Sequence, residues 1–540
     1  MFAGVKKGRV MLLLLLSVAT FVTACSGGGG SSEPAPAATP AEGETKNEAP
    51  AAPEASAEPT EFSYLAHTRI IGWIKDSMWV DEVLKRTNTS IEFVDGGEDP
   101  QYTSNVDLRV GGMNFPDAGI VTPAQALLYG REGAFLDLKP LIEEHAPNIK
   151  KYIESDPTYQ KLVTNEDGQI FGLTFMNLPA PMTILYRKDM FDKVGIASEP
   201  RTIDELTEAF RKLKAEYGAT NNTFYPYTGR GEFTRFFLDA FNASAHVDES
   251  GKVHGILGAF DAFNLYAPGY KQWVEWHNLL YKEGLIDPEF ATNTQSEETW
   301  QTKMLTGAGA FNFDHYSRPE WFMLNGGPEN DPNYQTAVMT PFLDQNGQQS
   351  KQTMGLKYQQ AYNFVINAQA KDKAAGILRY LDYIWSDEGK TLAQWGIEGE
   401  TFQVADGKKQ HTVNYTEEVT KVAGQKRWDF NVGSPMFPRD YNKDDAWQWS
   451  TDLTRDFATR LFTPEYTKPI PFVKYTTEQS AAKQELAARV LEEVKSNVIK
   501  FVRGDRPMSE WDAFLSDMEK LGYKKITEID QAAYDATNAK

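Results

Sequence analysis

The chain has 540 residues, of which 41% are hydrophobic and 24% charged, and its formal net charge is -20 at pH 7. This length predicts more than one folded unit, and the apolar fraction excludes a wholly disordered chain. The acidic balance argues against nucleic acid as a partner, because phosphate binding requires a basic face. The only cysteine is Cys25, which excludes an internal disulfide, a thiolate metal site and a CxxC motif.

The N-terminal segment has the pattern of an export signal. Three basic residues within the first nine precede a short apolar run, Val10–Val22. That run is shorter than the roughly 20 residues that a transmembrane helix needs. It ends in Val-Thr-Ala-Cys25, which resembles the bacterial lipobox, where a signal peptidase cuts before a cysteine that then carries diacylglycerol. We expect a signal peptide over residues 1–24 and lipidation of Cys25; an ordinary signal with a chance cysteine is the alternative.

Residues 25–61 are predicted to hold the lipidated cysteine and a disordered tether. The segment contains the glycine run Gly27–Gly30, is rich in proline and alanine, and has no aromatic residue. Such a composition cannot bury enough apolar surface to offset the entropy of ordering. An anchor, a spacer and a large soluble body indicate a protein at the extracellular face of a cell membrane, of the Gram-positive type.

Beyond the tether, short apolar runs alternate with amphipathic helices, which is typical of α/β units. Residues 91–94 and 118–121 are predicted to be buried strands. Thr122 and Pro123 then predict the start of a helix, as N-cap and first helical residue.

Three further helices are predicted from capping residues and periodicity. The clearest spans residues 203–217, with a capping box starting at Thr202 and a C-cap at Gly218. A second begins near Asp372 and breaks around residues 386–389. A short third helix follows and ends at Trp395 and Gly396.

Six motifs in order resemble those of extracellular solute-binding proteins, the receptors of ATP-driven sugar importers. The motifs occupy residues 167–173, 185–206, 280–290, 303–311, 386–389 and 395–400. The last two resemble the large subgroup with oligosaccharide ligands, such as aldouronate- and alginate-type lipoproteins. The resemblance covers about residues 60–402, and residues 403–540 match less sharply.

The resemblance implies an α/β, two-lobed fold of the type II periplasmic-binding-protein kind, with a hinge and a ligand cleft between the lobes. Carried over to this chain, lobe 1 comprises residues 62–180 and 355–400, and lobe 2 comprises residues 181–354 and 401–540. A ligand shifts the balance between open and closed lobes only through contacts with both of them.

The function implied by the resemblance is capture of a carbohydrate, and of an oligosaccharide in particular, for the permease of an ABC importer. We expect no catalysis and no cofactor, a monomer, and contact with the membrane only through the lipid anchor. The sequence has no GxSxG, HExxH, P-loop or GxGxxG motif. A glycoside hydrolase or lyase stays open as an alternative, because it needs only two carboxylates or a Tyr/His pair. A surface sugar sensor or adhesin also stays open.

Phe313 and Asp314 are the first candidates for ligand contact, because sugars present C–H faces to aromatic rings and hydroxyls to carboxylates. In the family, the end of the strand that starts with residues 307–310 faces the cleft. We expect Phe313 to be a stacking platform and Asp314 a hydroxyl acceptor. Alternatively, Phe313 and Phe311 are core residues and Asp314 caps Tyr316.

Two pairs of candidates lie near the first strand–helix junction and near a predicted crossover. Trp73 and Trp79 flank the junction, where helix packing is the alternative to a cleft role. Tyr186 and Arg187 lie beside the crossover. Arg187 could bind a uronate carboxylate or instead form a surface ion pair with Asp189.

Tyr362 and Asn363 lie at the other predicted crossover, with buried hinge packing as the alternative. Trp276 follows Trp273 by three residues on an amphipathic helix, so a core position is the alternative there.

The remaining candidates belong to two loops. Trp395 and Glu398 lie in a glycine-bounded loop, where Trp395 could instead seal a helix end. Trp447 and Trp449 would face the same way on a strand, as a sugar platform, but would diverge on a helix.

Residues 440–444 have the oxygen spacing of a calcium loop. The sixth position is Asp445 rather than glycine and the twelfth is Thr451 rather than glutamate, so a surface acidic loop is the preferred interpretation. We therefore expect no metal.

Overall fold

The computed structural model describes residues 59–74, 78–98, 101–176, 182–229, 237–258, 262–292, 297–315, 318–354, 358–412 and 452–539. Within these ranges the chain forms two principal β-sheets, each packed against helices. The α/β character predicted from the sequence is therefore confirmed.

The strands of the described ranges are numbered in chain order. They are β1 (Thr60–Ala66), β2 (Thr89–Asp95), β3 (Ala118–Val121), β4 (Leu173–Met176), β5 (Met182–Arg187), β6 (Tyr225–Tyr227), β7 (His246–Val247), β8 (Val253–His254), β9 (Gly309–His315), β10 (Thr336–Met339), β11 (Gln352–Met354), β12 (Tyr358–Ile366), β13 (Phe402–Ala405), β14 (Lys408–His411) and β15 (Thr467–Pro469).

The helices are numbered in the same way. Those before the second sheet's last strand are α1 (Thr68–Ile74), α2 (Met78–Thr87), α3 (Gln101–Gly111), α4 (Pro123–Arg131), α5 (Lys139–His145), α6 (Pro147–Ser155), α7 (Pro157–Val163), α8 (Lys188–Lys193), α9 (Ile203–Tyr217), α10 (Pro268–Lys282), α11 (Glu297–Leu305), α12 (Arg318–Leu324) and α13 (Gly327–Asn330). Those that follow are α14 (Ala374–Trp385), α15 (Asp387–Trp395), α16 (Asp452–Leu461), α17 (Thr477–Arg503), α18 (Trp511–Leu521) and α19 (Tyr523–Asn538). Short 3-10 turns occupy Ala368–Ala370 and Met508–Glu510.

The first sheet has five strands in the order β2-β1-β3-β12-β4. β1 is parallel to β2 and β3, whereas β12 is antiparallel to both β3 and β4. Its hydrophobic core draws residues from Phe62 to Leu173 and again from Phe364 to Leu392. A distant part of the chain therefore supplies a strand inside this sheet.

Residues 91–94 form a strand as predicted, but the prediction that this strand is buried is wrong. Among the described strands, β2 pairs only with β1, so it is an edge strand, and each of its residues is partly buried or exposed. The prediction for residues 118–121 is confirmed, because β3 is buried along its whole length between β1 and β12.

The second sheet has four strands in the order β10-β5-β9-β6. β5 is antiparallel to β9 and β10, and β6 is parallel to β9. Its hydrophobic core draws residues from Ile184 to Phe342 and again from Val490 to Ile526. The C-terminal helices thus complete the core of this second sheet.

The predicted helix boundaries agree with the structure at their caps. The Thr122 side chain accepts a hydrogen bond from the Gln125 amide at the start of α4. α9 begins after Thr202 and ends at Gly218, as predicted. The predicted break after the helix near Asp372 is narrower than expected, because Ser386 alone ends α14 and caps α15.

The C-terminal part of the chain contacts both sheets' helices. β15 pairs in parallel with β11. β11 is the strand that precedes β12, with which the chain returns to the first sheet. α17 packs against α4 beside the first sheet, and its second half, from Val490 to Val502, enters the core of the second. The Lys474 ammonium donates to the carbonyl of Thr164, which follows α7.

Among the described residues, none of the helices combines the length and the apolar character required to cross a bilayer.

Candidate functional site

The chain passes from the first sheet to the second between β4, which ends at Met176, and β5, which begins at Met182. Asn363 of β12 pairs with Val121 on one side and Thr174 on the other, which brings the end of β3 to this edge. The last residue of β9 pairs with Met182. Because ligands of open α/β sheets bind beyond the carboxyl ends of strands, we call this region the candidate cleft.

Three rings form an aromatic cluster (His67, Tyr102 and Tyr362) at the first sheet's side of the candidate cleft. The His67 ring stacks on Tyr102, with 3.7 Å between ring centroids and planes inclined by 17°. The Tyr362 ring contacts His67 at 4.9 Å and Tyr102 at 6.1 Å, both in tilted or edge geometry. His67 follows the last residue of β1, and Tyr362 lies on β12, so two strands bring these rings together.

Tyr102 is fixed beneath the cluster by hydrogen bonds and by sterics. Its hydroxyl donates to the carbonyl of Ile120 at 2.7 Å and lies 3.3 Å from that of Leu65. Gly96 leaves room for the ring, since a Cβ at that position would lie 2.4 Å from Tyr102 Cε2. The support below His67 is therefore rigid.

Asn363, the neighbour of Tyr362, presents a buried acceptor. Its Oδ1 atom is buried and accepts no hydrogen bond from any described residue. A buried polar atom without a partner costs free energy unless a ligand or water satisfies it. The predicted pair of Tyr362 and Asn363 thus combines a partly buried ring with a buried acceptor that no described residue satisfies.

An ionised carboxylate ends the adjacent strand β2. Asp95 accepts hydrogen bonds from the Thr68 hydroxyl at 2.6 Å and from the Gly97 amide at 2.8 Å. These donors lower the pKa of Asp95, the Thr68 hydroxyl having the larger effect. The carboxylate is exposed and remains charged at neutral pH.

The predicted pair of Phe313 and Asp314 lies near the second sheet's side of the candidate cleft, at the end of β9. Phe313 is buried in the core and its ring meets that of Phe237 edge to face at 5.6 Å. Asp314 is fully buried and accepts from the His315 amide and from Arg318 Nε, each at 2.7 Å. Both carboxylate oxygens therefore receive hydrogen bonds from the protein itself.

Arg318, at the start of α12, connects Asp314 to two indole rings. Its guanidinium carbon lies 5.2 Å from the centroid of Trp321 and 5.6 Å from that of Trp300. Trp321 is only partly buried, whereas Trp300 is fully buried.

Tyr186 and Arg187 lie at the far end of β5, away from Met182. Arg187 is buried and donates to Asp189 through Nε at 2.9 Å and through one terminal nitrogen at 2.6 Å. Its guanidinium also stacks over the Tyr334 ring at 3.8 Å. The alternative of an ion pair with Asp189 is confirmed, but the pair is buried rather than at the surface.

Trp276 and Trp395 are both buried and make structural contacts. Trp276 Nε1 donates to the Thr207 hydroxyl at 2.9 Å and its ring packs against Phe237. Trp395 ends α15, where its carbonyl accepts from the Thr401 hydroxyl at 2.5 Å. Glu398, in the same loop, is exposed.

The remaining candidates lie outside the described residues. These are Cys25, Trp447, Trp449, the possible calcium loop at residues 440–445, and the side chains of Trp73 and Trp79. Within the ranges that the structure describes, no group of three histidine, cysteine, aspartate or glutamate side chains could hold a metal ion.

Sequence reasoning missed His67, Tyr102 and Asp95. His67 follows the last residue of β1, and Asp95 is the last residue of β2. A position at the end of an apolar strand is also the reason why Asp314 was chosen as a candidate. Applying the same rule to β1 and β2 would have found His67 and Asp95. Tyr102 could not be found in this way, because it lies on α3 and reaches the cleft edge only through tertiary packing.

The chain forms two sheets, each packed against helices, and passes from the first to the second and back again. This plan is that of the two-lobed solute-binding proteins. The family model for bacterial extracellular solute-binding proteins matches residues 75–391. The chain belongs to this family.

Named relatives are similar to this chain over most of its length. The fructooligosaccharide ABC transporter substrate-binding protein FusA of Streptococcus pneumoniae is 22% identical over 490 residues, which cover 84% of this chain and 86% of FusA. The crystal structure of the alginate-binding protein AlgQ2 without calcium superposes with a TM-score of 0.74 at 20% identity, covering 89% of this chain and 99% of that one. FusA in complex with kestose gives a TM-score of 0.69 at 18% identity, covering 89% and 100%. These structural similarities confirm the two-lobed fold.

Proposed function

We propose that this protein captures an oligosaccharide outside the cell and delivers it, chemically unchanged, to the permease of an ABC importer. The observation that carries the proposal is the Tyr362 ring at the candidate cleft, which contacts the His67 ring at 4.9 Å and is followed in the chain by Asn363 with its unsatisfied Oδ1 atom. A held ring face and a hydrogen-bond acceptor are what the C–H face and the hydroxyls of a sugar require. The relatives named as binding fructooligosaccharide and alginate support the same class of ligand.

The other lobe would contribute the opposing contacts. We propose that Phe313 and Asp314 shape this wall, with Asp314 holding Arg318 and thereby the partly buried Trp321. A ligand that contacts both lobes would stabilise their closed arrangement. We also propose that the chain passes from lobe 1 to lobe 2 at residue 180 and returns after residue 354. These positions lie just before β5 and just after β11.

Lipid attachment at Cys25 and the permease partner are parts of the same proposal. The sequence pattern before Cys25 supports the anchor, and family membership supports the importer. A monomer without a bound cofactor is expected to suffice for binding. Growth of the source cells with radiolabelled palmitate would label the wild-type chain but not Cys25→Ala.

The binding proposal is tested with the mature chain, purified without residues 1–25. Isothermal titration with kestose, nystose, maltotriose and an alginate trisaccharide is expected to give one site with a Kd in the micromolar range, about 8 kcal/mol. A saturating ligand at 100-fold Kd would add about 2.7 kcal/mol to the free energy of unfolding. Chelator and added calcium are included in parallel titrations and are expected to leave the Kd unchanged.

Analysis of the sugars after prolonged incubation separates this function from the alternatives. Recovery of intact ligand supports a receptor, and a shortened or unsaturated product would instead identify a hydrolase or lyase. Failure of every oligosaccharide to bind, with the protein folded, would contradict the proposal.

A further inference from the structure

The Tyr362 ring at the candidate cleft does not stand alone. Its closest described ring neighbour is His67, at 4.9 Å with planes inclined by 66°. The His67 ring also stacks on Tyr102 at 3.7 Å, and Tyr362 meets Tyr102 edge to face at 6.1 Å. The three rings therefore form one cluster, in which His67 is the nearer of the two described partners of Tyr362.

His67 is itself unable to move without disturbing the core. Its side chain is almost fully buried, and its carbonyl accepts the Ile71 amide at 2.9 Å in the first turn of α1. Tyr102, beneath it, is held by the Ile120 carbonyl and confined by Gly96. The His67 imidazole is thus held in place by the hydrogen bond of its own carbonyl and by the Tyr102 ring on which it stacks.

A fixed imidazole restricts the Tyr362 ring to fewer orientations. A side chain that is ordered before binding loses less entropy when a ligand stacks on it, and affinity increases accordingly. Removing the imidazole would leave a space behind Tyr362 into which its ring could turn. The ring would then present its face to the cleft for only part of the time.

We propose that His67 is a positioning residue: it holds Tyr362 in the orientation that stacks on a sugar ring, without contacting the sugar. This inference rests on the proposed function. It predicts that His67 acts on affinity only through Tyr362, and that any flat ring at position 67 can replace the imidazole.

The test is a double-mutant cycle titrated with kestose. We expect His67→Ala to weaken binding about 10-fold and Tyr362→Ala at least 10-fold. The double variant is expected to bind no more weakly than Tyr362→Ala, because the second change removes the group through which His67 acts. His67→Phe, which restores a flat ring, is expected to bind within threefold of the wild type.

Phe62→Ala is the matched control. Phe62 is a buried aromatic residue on the same strand, β1, at the end remote from the cleft. It is expected to lower the thermal midpoint at least as much as His67→Ala while leaving the Kd unchanged. Wild-type affinity in His67→Ala, or additive losses in the double variant, would overturn the proposal.

A second measurement needs no sugar and separates this inference from the proposed function. Nitration of Tyr362 by tetranitromethane, followed by peptide mass spectrometry, reports how freely the ring is reached. We expect nitration to be several-fold faster in His67→Ala and to return to the wild-type rate in His67→Phe. Equal rates in all three proteins would overturn the positioning role, whereas absence of kestose binding in the wild type with altered nitration would contradict only the assignment of this ligand.

Discussion

At the scale of single residues, the burial of one imidazole makes the folded state sensitive to acid. His277 on α10 is fully buried, and its Nδ1 atom lies 2.9 Å from the Trp273 carbonyl. Burial lowers the pKa of His277 from 6.5 to about 3. Between these two values the unfolded chain binds a proton that the folded chain does not, so the free energy of unfolding decreases as the pH falls.

We predict that lowering the pH from 7 to 5 removes about 2 kcal/mol of unfolding free energy through His277. In His277→Leu, the difference between urea denaturation at pH 7 and at pH 5 is expected to be smaller by this amount. His246→Leu is the control, because His246 is exposed. An unchanged pH dependence in His277→Leu would show that this imidazole is not its source.

In the candidate site, the sequence predicted the positions of residues along strands better than the partners of their side chains. The sequence placed a strand directly before Phe311, and the structure extends that strand, β9, through Asp314 to His315. A role of Asp314 in a ligand cleft stays a prediction. The pattern did not show that Arg318 occupies its carboxylate, because that contact depends on side-chain orientation as well as spacing. The same limit applies to Arg187, whose partners include the partly buried Asp189 two residues on and the buried Tyr334 far along the chain.

At the scale of elements, capping residues predicted the ends of helices most accurately. The Thr202 hydroxyl accepts from the Glu205 amide at 3.2 Å at the start of α9. The Glu205 carboxylate accepts from the Arg201 amide at 2.6 Å rather than from that of Thr202. The predicted N-cap is therefore confirmed, but the reciprocal contact of a capping box is not formed, because the Glu205 carboxylate bonds the amide before Thr202.

We predict that Thr202→Ala lowers the free energy of unfolding by about 1 kcal/mol, because a helix N-terminal amide loses its acceptor. Thr202→Asp, which keeps an acceptor at the N-cap, is expected to stay close to the wild type. Chemical denaturation of the three proteins compares them. Equal stability of the alanine and wild-type proteins would mean that the cap is replaced by solvent at no cost.

Strand burial was less predictable than helix capping. The apolar run at residues 91–94 indicated a strand, which β2 is, but its place in the sheet depends on which strands pair with it. Of the strands that the structure describes, β1 is the one that pairs with β2, a tertiary contact that the local sequence does not encode. Central and edge strands therefore cannot be separated by an apolar run of four residues.

At the scale of the whole molecule, the C-terminal segment contacts the helices beside the first sheet. Lys474 donates to the Thr164 carbonyl, and Lys161 lies 3.4 Å from the Thr537 carbonyl. Burial lowers the pKa of Lys474, which the nearby Glu166 partly offsets. These contacts join the end of α7 to the segment before α17 and to the end of α19.

We predict that Lys474→Met increases amide hydrogen exchange on both sides of this contact, at residues 164–168 and at residues 474–480. Lys468→Met is the matched control, because Lys468 pairs with Asp239 at 2.5 Å, away from α7. Its effect is expected to be confined to the neighbourhood of Asp239. Exchange in Lys474→Met that rises on one side only would contradict a contact that stabilises both segments.

The sequence predicted the two-lobed plan but not this C-terminal link. Motifs in order through residue 402 matched a family whose fold is known, whereas the later residues had no comparable motif. The helical periodicity of α17 shows which residues face inward. It does not show that one half of α17 contacts α4 and the other half enters the core of the second sheet.

The order of strands in the first sheet has a consequence for biosynthesis. β12 lies between β3 and β4, so this sheet cannot be completed until Ile366 has left the ribosome. At about 5–20 residues per second, the interval after synthesis of β4 is on the order of ten seconds or more. During this time the nascent polypeptide lacks the completed core of its first sheet.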